Sequence, residues 1–99
     1  MTRFARNVQF QIKDGKTPDF LKILNTDVLP MLKKQDGFRD ELMLLSGSRG
    51  MGISLWDERK HAEQYGTSVY PEVMKKLTPV LEGTPKVEMY EVGATTLTH

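Results

Sequence analysis

Apolar residues in this 99-residue chain switch repeatedly between two spacings, and the order of the switches leaves few folds open. From Phe4 to Ile12 the even positions Phe4, Val8, Phe10 and Ile12 are apolar, with Arg6 as the exception, while Ala5, Asn7, Gln9 and Gln11 form the other face. That alternation predicts a strand. Asp14-Gly15 turns the chain, Thr17 is placed to cap, and Pro18 suits a first helical position. Phe20, Ile23, Leu24, Val28, Met31 and Leu32 then recur at helical spacing. Pro30 removes a ladder hydrogen bond, so this helix should kink near Leu29 before Gly37 closes it.

Phe38 to Leu45 reads as a second strand, with an LMLL run that puts apolar groups on both faces. SGSRGMG joins it as a hairpin to a third strand, Met51–Trp56. The glycines there are no phosphate loop, since no helix start follows them. Asp57 is the expected N-cap of a short helix to about Tyr65. Gly66-Thr67-Ser68 should break that helix, and Ser68 should cap a further stretch through Leu81 that Pro79 shortens. Gly83-Thr84-Pro85 ends the helical region, and KVEMYEV is the last strand.

The order is βαββαβ. Two right-handed crossovers in that order give an α+β, ferredoxin-like domain: a four-stranded antiparallel sheet with the helices on one face. Residues 1–99 form one domain, with 93–99 a flexible tail. The uncovered sheet face would carry apolar side chains of strands two to four between Gln9 and Gln11. A second copy is expected to cover it as a two-fold homodimer.

Charge narrows the partners. Fourteen lysines and arginines against 13 acids leave +1, too little single-sign field to draw in nucleic acid or a membrane surface. The absence of cysteine removes disulfides, thiol nucleophiles and thiolate metal sites, and fits a reducing compartment. MTRFARNVQF lacks a signal-peptide apolar core, and no stretch nears the roughly 20 apolar residues of a membrane span. A cytoplasmic protein is expected. His61 and His99, without converging carboxylates, form no metal constellation.

The strings FARNVQFQIKDGK, DVLPMLKKQDGF, SLWDERKHAEQY and TPKVEMYEV together resemble the antibiotic biosynthesis monooxygenase domain family of dimeric α/β barrels, over residues 4 to 92. The resemblance implies a homodimer that oxidises a small aromatic or quinol-like molecule with dioxygen and no cofactor. Relatives in the same fold bind and degrade haem. Polyketide oxidases of the family carry asparagine, tryptophan, tyrosine and arginine where this chain has Gly52, Trp56, Ala62 and Lys76, so one of the four is kept. The haem-degrading relatives carry tryptophan and an iron-binding histidine where Tyr65 and Lys75 stand, which leaves no imidazole for haem. Some quinol-oxidising relatives have histidine or aromatic groups at the places of Tyr65 and Tyr70.

Trp56, Tyr65 and His61 are therefore the candidate catalytic residues, and Tyr70, Lys76 and Arg6 the candidate substrate-binding residues. Each has a plainer role beside it. Trp56 at a strand end either seals the core or lines a cleft, and His61, within the charged run ERKHAEQ, fits a solvated surface. Arg6 falls on the helix side of the first strand and Asn7 on the other. An arginine among Phe4, Val8 and Phe10 needs an anion, either a ligand or Glu88 or Glu91. Lys76 is a point charge without arginine's fork. Two functional classes stay open: an oxygen-using enzyme on a small aromatic molecule, and a non-catalytic dimeric ligand-binding or stress-related module.

Overall fold

Register is set by a tight hairpin between two strands. Gly47 has φ 61° and Ser48 has negative φ, the sign pattern of a type II′ turn, whose twist matches that of the flanking strands. The turn pairs Ser46 with Arg49, and counting back from it brings Met43 opposite Gly52 and Glu41 opposite Ser54. In the computed structural model, which describes residues 3–97, these strands are β2 (Phe38–Ser46) and β3 (Arg49–Trp56). With β1 (Phe4–Ile12) and β4 (Leu81–Glu91) they form one antiparallel sheet in the order β2-β3-β1-β4. This is the ferredoxin-like arrangement that the βαββαβ order predicts. His99 lies outside the described residues.

The first helical region has three parts: α1 (Thr17–Ile23), a π-helical turn (Leu24–Val28) and α2 (Leu29–Lys33). Pro30 offers no N–H and its ring crowds the carbonyl a turn earlier, so the helix widens ahead of it. The Leu29 N–H accordingly reaches back to the Leu24 carbonyl. Carbonyls near the wide turn gain side-chain donors: Asn25 Nδ2 to Leu21 O at 2.9 Å and Thr26 Oγ1 to Lys22 O at 2.7 Å. The expected kink is thus a π-turn that keeps Leu24 and Val28 pointing inward, both buried.

Thr17 does not cap α1, since Lys16 stands at the cap position, and three further local expectations fail for identifiable reasons. Asp57 does not cap the next helix, α3 (Arg59–Ser68); its carboxylate takes a two-pronged contact from Arg39 at 2.5 and 2.8 Å, and Glu58 occupies the cap position. Ser68 caps nothing either, because its hydroxyl donates back to the Gln64 carbonyl at 2.5 Å. The break falls instead at Val69, ahead of Pro71 in α4 (Tyr70–Leu77), since Pro71 cannot donate into a continuing ladder. Finally, β4 begins at Leu81, before Gly83-Thr84-Pro85, and these residues form an irregularity opposite Phe10 within the strand. A φ of 67° at Gly83 and the missing N–H of Pro85 suit a stretch that leaves the ladder.

The core lies between sheet and helices. Ile12, Phe20, Leu24, Val28, Leu32, Trp56, Ala62, Tyr65, Val73 and Leu77 are buried there together. On the opposite face Leu42 and Leu44 are 54% and 50% exposed, and Tyr90 is 49% exposed. No helix among the described residues is long and apolar enough to cross a membrane.

Candidate functional site

Arg6 stands in the central region of the sheet, on the face the helices cover, and is only 6% exposed. A buried guanidinium must find polar or π-rich company. Its carbon lies 4.1 Å from the ring centre of Tyr70 and 5.2 Å from that of Tyr65, so two phenol faces cradle the cation. Gly66 of α3 lies against the guanidinium: a Cβ there would stand 3.6 Å from Nε and Nη2, an ordinary contact distance. Burial lowers the Arg6 pKa below its ordinary value, and the two tyrosines oppose that shift.

The anion Arg6 requires comes from neither Glu88 nor Glu91. Register puts Glu88 beside Asn7, on the outer face, and Glu91 beside Phe4 at the strand end. Glu41 of β2 supplies the charge instead. Its carboxylate rests over Gly52, with Oε2 3.1 Å from where a Cβ would stand. Burial pushes the Glu41 carboxyl up to about 8, against the pull of Arg6. Burial also raises the phenol pKa values of Tyr65 and Tyr70, again opposed by Arg6.

Arg6, Glu41, Ser54, Tyr65 and Tyr70 line one cavity of about 50 Å³ beneath the helices, in otherwise apolar walls that include Phe20, Leu24 and Val28. That volume holds one or two waters at roughly 30 Å³ each. An aromatic ligand needs more room, and Met43 and Met74 in the wall are unbranched side chains able to make it. Chemically the cavity offers a fixed cation, a carboxyl that ionises near neutrality, a hydroxyl and two stacking rings. Such a set can bind a planar phenol, accept its proton and hold the anion.

The sequence-derived candidates divide accordingly. Arg6, Tyr65 and Tyr70 come together at the cavity. Trp56, fully buried, stands behind it: its Nε1 donates to Ser54 Oγ at 2.8 Å, and its ring meets Phe38 edge-on at 5.5 Å and Tyr65 at 5.2 Å. His61 is half-buried on α3, packed against Gly37, and opens to a separate surface recess with Gln35, Asp36 and Gln64. Lys76 is 44% exposed and sits 3.9 Å from Asp27, on the outside of the helical layer. Glu41 and Ser54 were not among the candidates, although the hairpin turn already sets them opposite each other. Among the described residues no group of three or more His, Asp or Glu side chains is arranged to hold a metal ion.

No family model matches the chain, and no curated protein matches it. Solved structures do match it in fold. A Nitrosomonas europaea protein of unknown function, NE2512, shares 20% identity over 100% of this chain and 97% of its own, with a TM-score of 0.83. A second N. europaea protein, provisionally named an antibiotic biosynthesis monooxygenase, shares 17% over 92% of this chain and 90% of its own, at 0.77. SnoaB from Streptomyces nogalater, a cofactor-independent oxygenase, shares 11% over 97% and 98%, at 0.77. At these identities the likeness is one of fold.

Proposed function

We propose that this chain is a monooxygenase of the antibiotic biosynthesis monooxygenase type, which uses dioxygen without a cofactor to oxidise a small electron-rich phenol or quinol-like substrate. The observation that carries the reading is the buried cation of Arg6 clasped by Tyr65 and Tyr70 in an apolar cavity that Glu41 also lines. The names carried by structures of the same fold agree with it. Chemically, a phenol bearing an activated methylene supplies every electron that dioxygen takes: the methylene becomes a carbonyl, one oxygen atom stays on carbon and the other leaves as water. No external reductant is then needed. The protein's part is to bind the ring, make the anion and exclude bulk water.

Oxygen uptake against a panel of hydroquinones, naphthols and phenols with activated methylenes tests this directly. Wild type is expected to consume oxygen with at least one of them, and Arg6→Gln to lower kcat/KM about 10²- to 10³-fold, as for loss of an oxyanion donor. Calorimetric binding of these phenols without oxygen uptake would make the protein a ligand-binding module. The small volume of the cavity, about 50 Å³, is what favours that second reading.

A homodimer through the sheet's outer face belongs to the same proposal. Leu42 and Leu44, both more than half or half exposed at 54% and 50%, are paired with Ile53 and Met51 on a face no helix covers. A stable interface buries roughly 1,200–2,000 Å² in total, and a second sheet is of that order. Sedimentation should find a dimer at micromolar concentration, and a Leu42→Glu/Leu44→Glu variant should run as a monomer. A monomeric wild type would defeat this part.

A further inference from the structure

We propose that Glu41 and Arg6 clasp a single phenolic oxygen between them, with Glu41 as the base that removes its proton and Arg6 as the cation that holds the phenolate. The inference deepens the oxygenase reading by assigning the proton acceptor and fixing the ligand class as phenols or enols.

Three observations carry it. Arg6 and Glu41 act on each other electrostatically and line the same cavity, yet they form no direct ion pair. Two opposite charges in apolar walls would ordinarily close on each other, since desolvation is offset only by good contact. Here the guanidinium is held back on the faces of Tyr65 and Tyr70. Second, the carboxylate's position depends on Gly52, where any side chain would crowd both Glu41 Oε2 at 3.1 Å and Met43 Cε at 3.0 Å. The residue that leaves room is therefore the cross-strand neighbour of the acid-bearing segment, Met43 being directly opposite. Third, the groups facing Glu41 from the packed elements are Arg6 of β1, Ser54 of β3, and Tyr65 and Tyr70 above. Ser54 Oγ is already engaged, accepting from Trp56 and directed at the Arg6 carbonyl at 3.4 Å. Glu41 is the carboxylate among the lining groups, with an ionisation at about 8.

The step balances without a further reactant. The phenol O–H breaks, its proton goes to a Glu41 carboxylate oxygen, and the electron pair stays on the phenolate oxygen beside Arg6. A base ionising near the working pH combines useful basicity with a populated carboxylate.

The test separates this step from oxygen chemistry. Bind 4-nitrophenol anaerobically at about pH 9, where both the free ligand and Glu41 are ionised, and count protons by calorimetry in buffers of different ionisation enthalpy. A phenolate placed against Glu41 forces that carboxylate to take up a proton. Wild type should therefore take up close to one proton per ligand. Glu41→Gln should take up none and bind the phenolate at least tenfold more tightly, because the competing negative charge is gone. Equal proton counts and affinities in the two proteins would overturn the assignment, and so would failure of wild type to bind any phenol. For a substrate that is turned over, kcat/KM of wild type should rise with pH through about 8, and Glu41→Gln should lack that limb and lose about 10²- to 10⁴-fold. Unchanged turnover in Glu41→Gln would overturn the base role. Proton uptake without oxygen consumption on any substrate would leave the Glu41–Arg6 clasp standing and remove the oxygenase reading.

Discussion

Glu41→Gln is expected to make the protein more stable than wild type above pH 8 and to leave it nearly unchanged near pH 4. The sign follows from the direction of the shift. Folding raises the Glu41 carboxyl from its ordinary 4.5 to about 8, so the folded state holds a proton that the unfolded state releases. Where the folded state binds more protons, stability falls as pH rises. Glu41 therefore contributes its full share below 4.5, and that share is lost between 4.5 and about 8 as the buried carboxylate is forced to form. At about 1.4 kcal/mol for each tenfold change, the interval sets a ceiling of about 5 kcal/mol. Water entering the cavity and small shifts of Met43 should reduce this to about 2–4 kcal/mol. Glutamine fills the same space without an ionisation. Urea midpoints measured for both proteins from pH 4 to pH 9 should diverge steadily with pH. Parallel curves would mean that Glu41 is solvated in the folded state, and would remove the desolvated pairing of Glu41 with Arg6. The Asp57 carboxyl, held low by Arg39, titrates at the acid end in both proteins and cancels in the difference.

A cavity built this way costs stability. The sheet could pair Arg6 and Glu41 in direct contact or replace both by apolar side chains, and either would remove the penalty of two separated buried charges. Instead Gly52 leaves room for the Glu41 carboxylate, and Arg6 rests on two tyrosine rings. Desolvated charges gathered at one place in an otherwise regular fold are what the proposed ligand site would require.

How much of this is legible in the sequence depends on the length scale of each signal. Strand alternation at Phe4–Ile12 and helical spacing from Phe20 to Leu32 are dictated by which side chains must leave water, so element order and sheet topology follow from the chain alone. Caps are less legible, because Asp57 and Ser68 had competing partners, Arg39 and the Gln64 carbonyl, that only the assembled fold and the helix geometry make available. The start of β4 was misplaced because Gly83 and Pro85 read as a terminator, although a strand irregularity accepts both.

For the site, period-two alternation correctly sends Arg6 inward, but it does not say which acid meets it. Glu88 is on the other face beside Asn7, and Glu91 stands at the strand end beside Phe4, exposed, while Met89 is opposite Arg6. Glu41 was reachable by a different count: a two-residue turn at Gly47-Ser48 fixes β2 against β3 and places Glu41 beside Ser54, and Ser54 pairs with Arg6. Glu41 heads the apolar run ELMLL, and alternation along that run puts it with Met43 on the helix side. Lys76 is a candidate through its match to the arginine of the polyketide oxidases, and His61 through its imidazole near the expected cleft. Lys76 turns outward to Asp27, and His61 packs on Gly37 beside a recess apart from the cavity that Arg6 lines.

Trp56→Ala should cost about 3–5 kcal/mol of folding stability, among the largest effects available from a single truncation in this chain. The indole has no solvent exposure, and it is wedged edge-on against Phe38 and tilted over Tyr65, so the void left behind has aromatic walls that cannot easily collapse. Its Nε1 also donates to Ser54 Oγ at 2.8 Å. Trp56→Phe keeps most of the volume and removes only that donor, so it should cost less, about 1–2 kcal/mol. The pair of variants discriminates two roles for the same residue. If Trp56 acts through packing, Trp56→Phe lowers the urea midpoint while ligand affinity and oxygen uptake at saturating substrate stay within about threefold of wild type. If the indole touches the substrate, kcat/KM falls by tenfold or more with the midpoint nearly unchanged. Its position behind Ser54, outside the cavity lining, predicts the first outcome. Trp56→Ala should then lose ligand binding only together with the seat of Tyr65, whose ring rests on the indole at 5.2 Å and carries one of the two faces that hold Arg6.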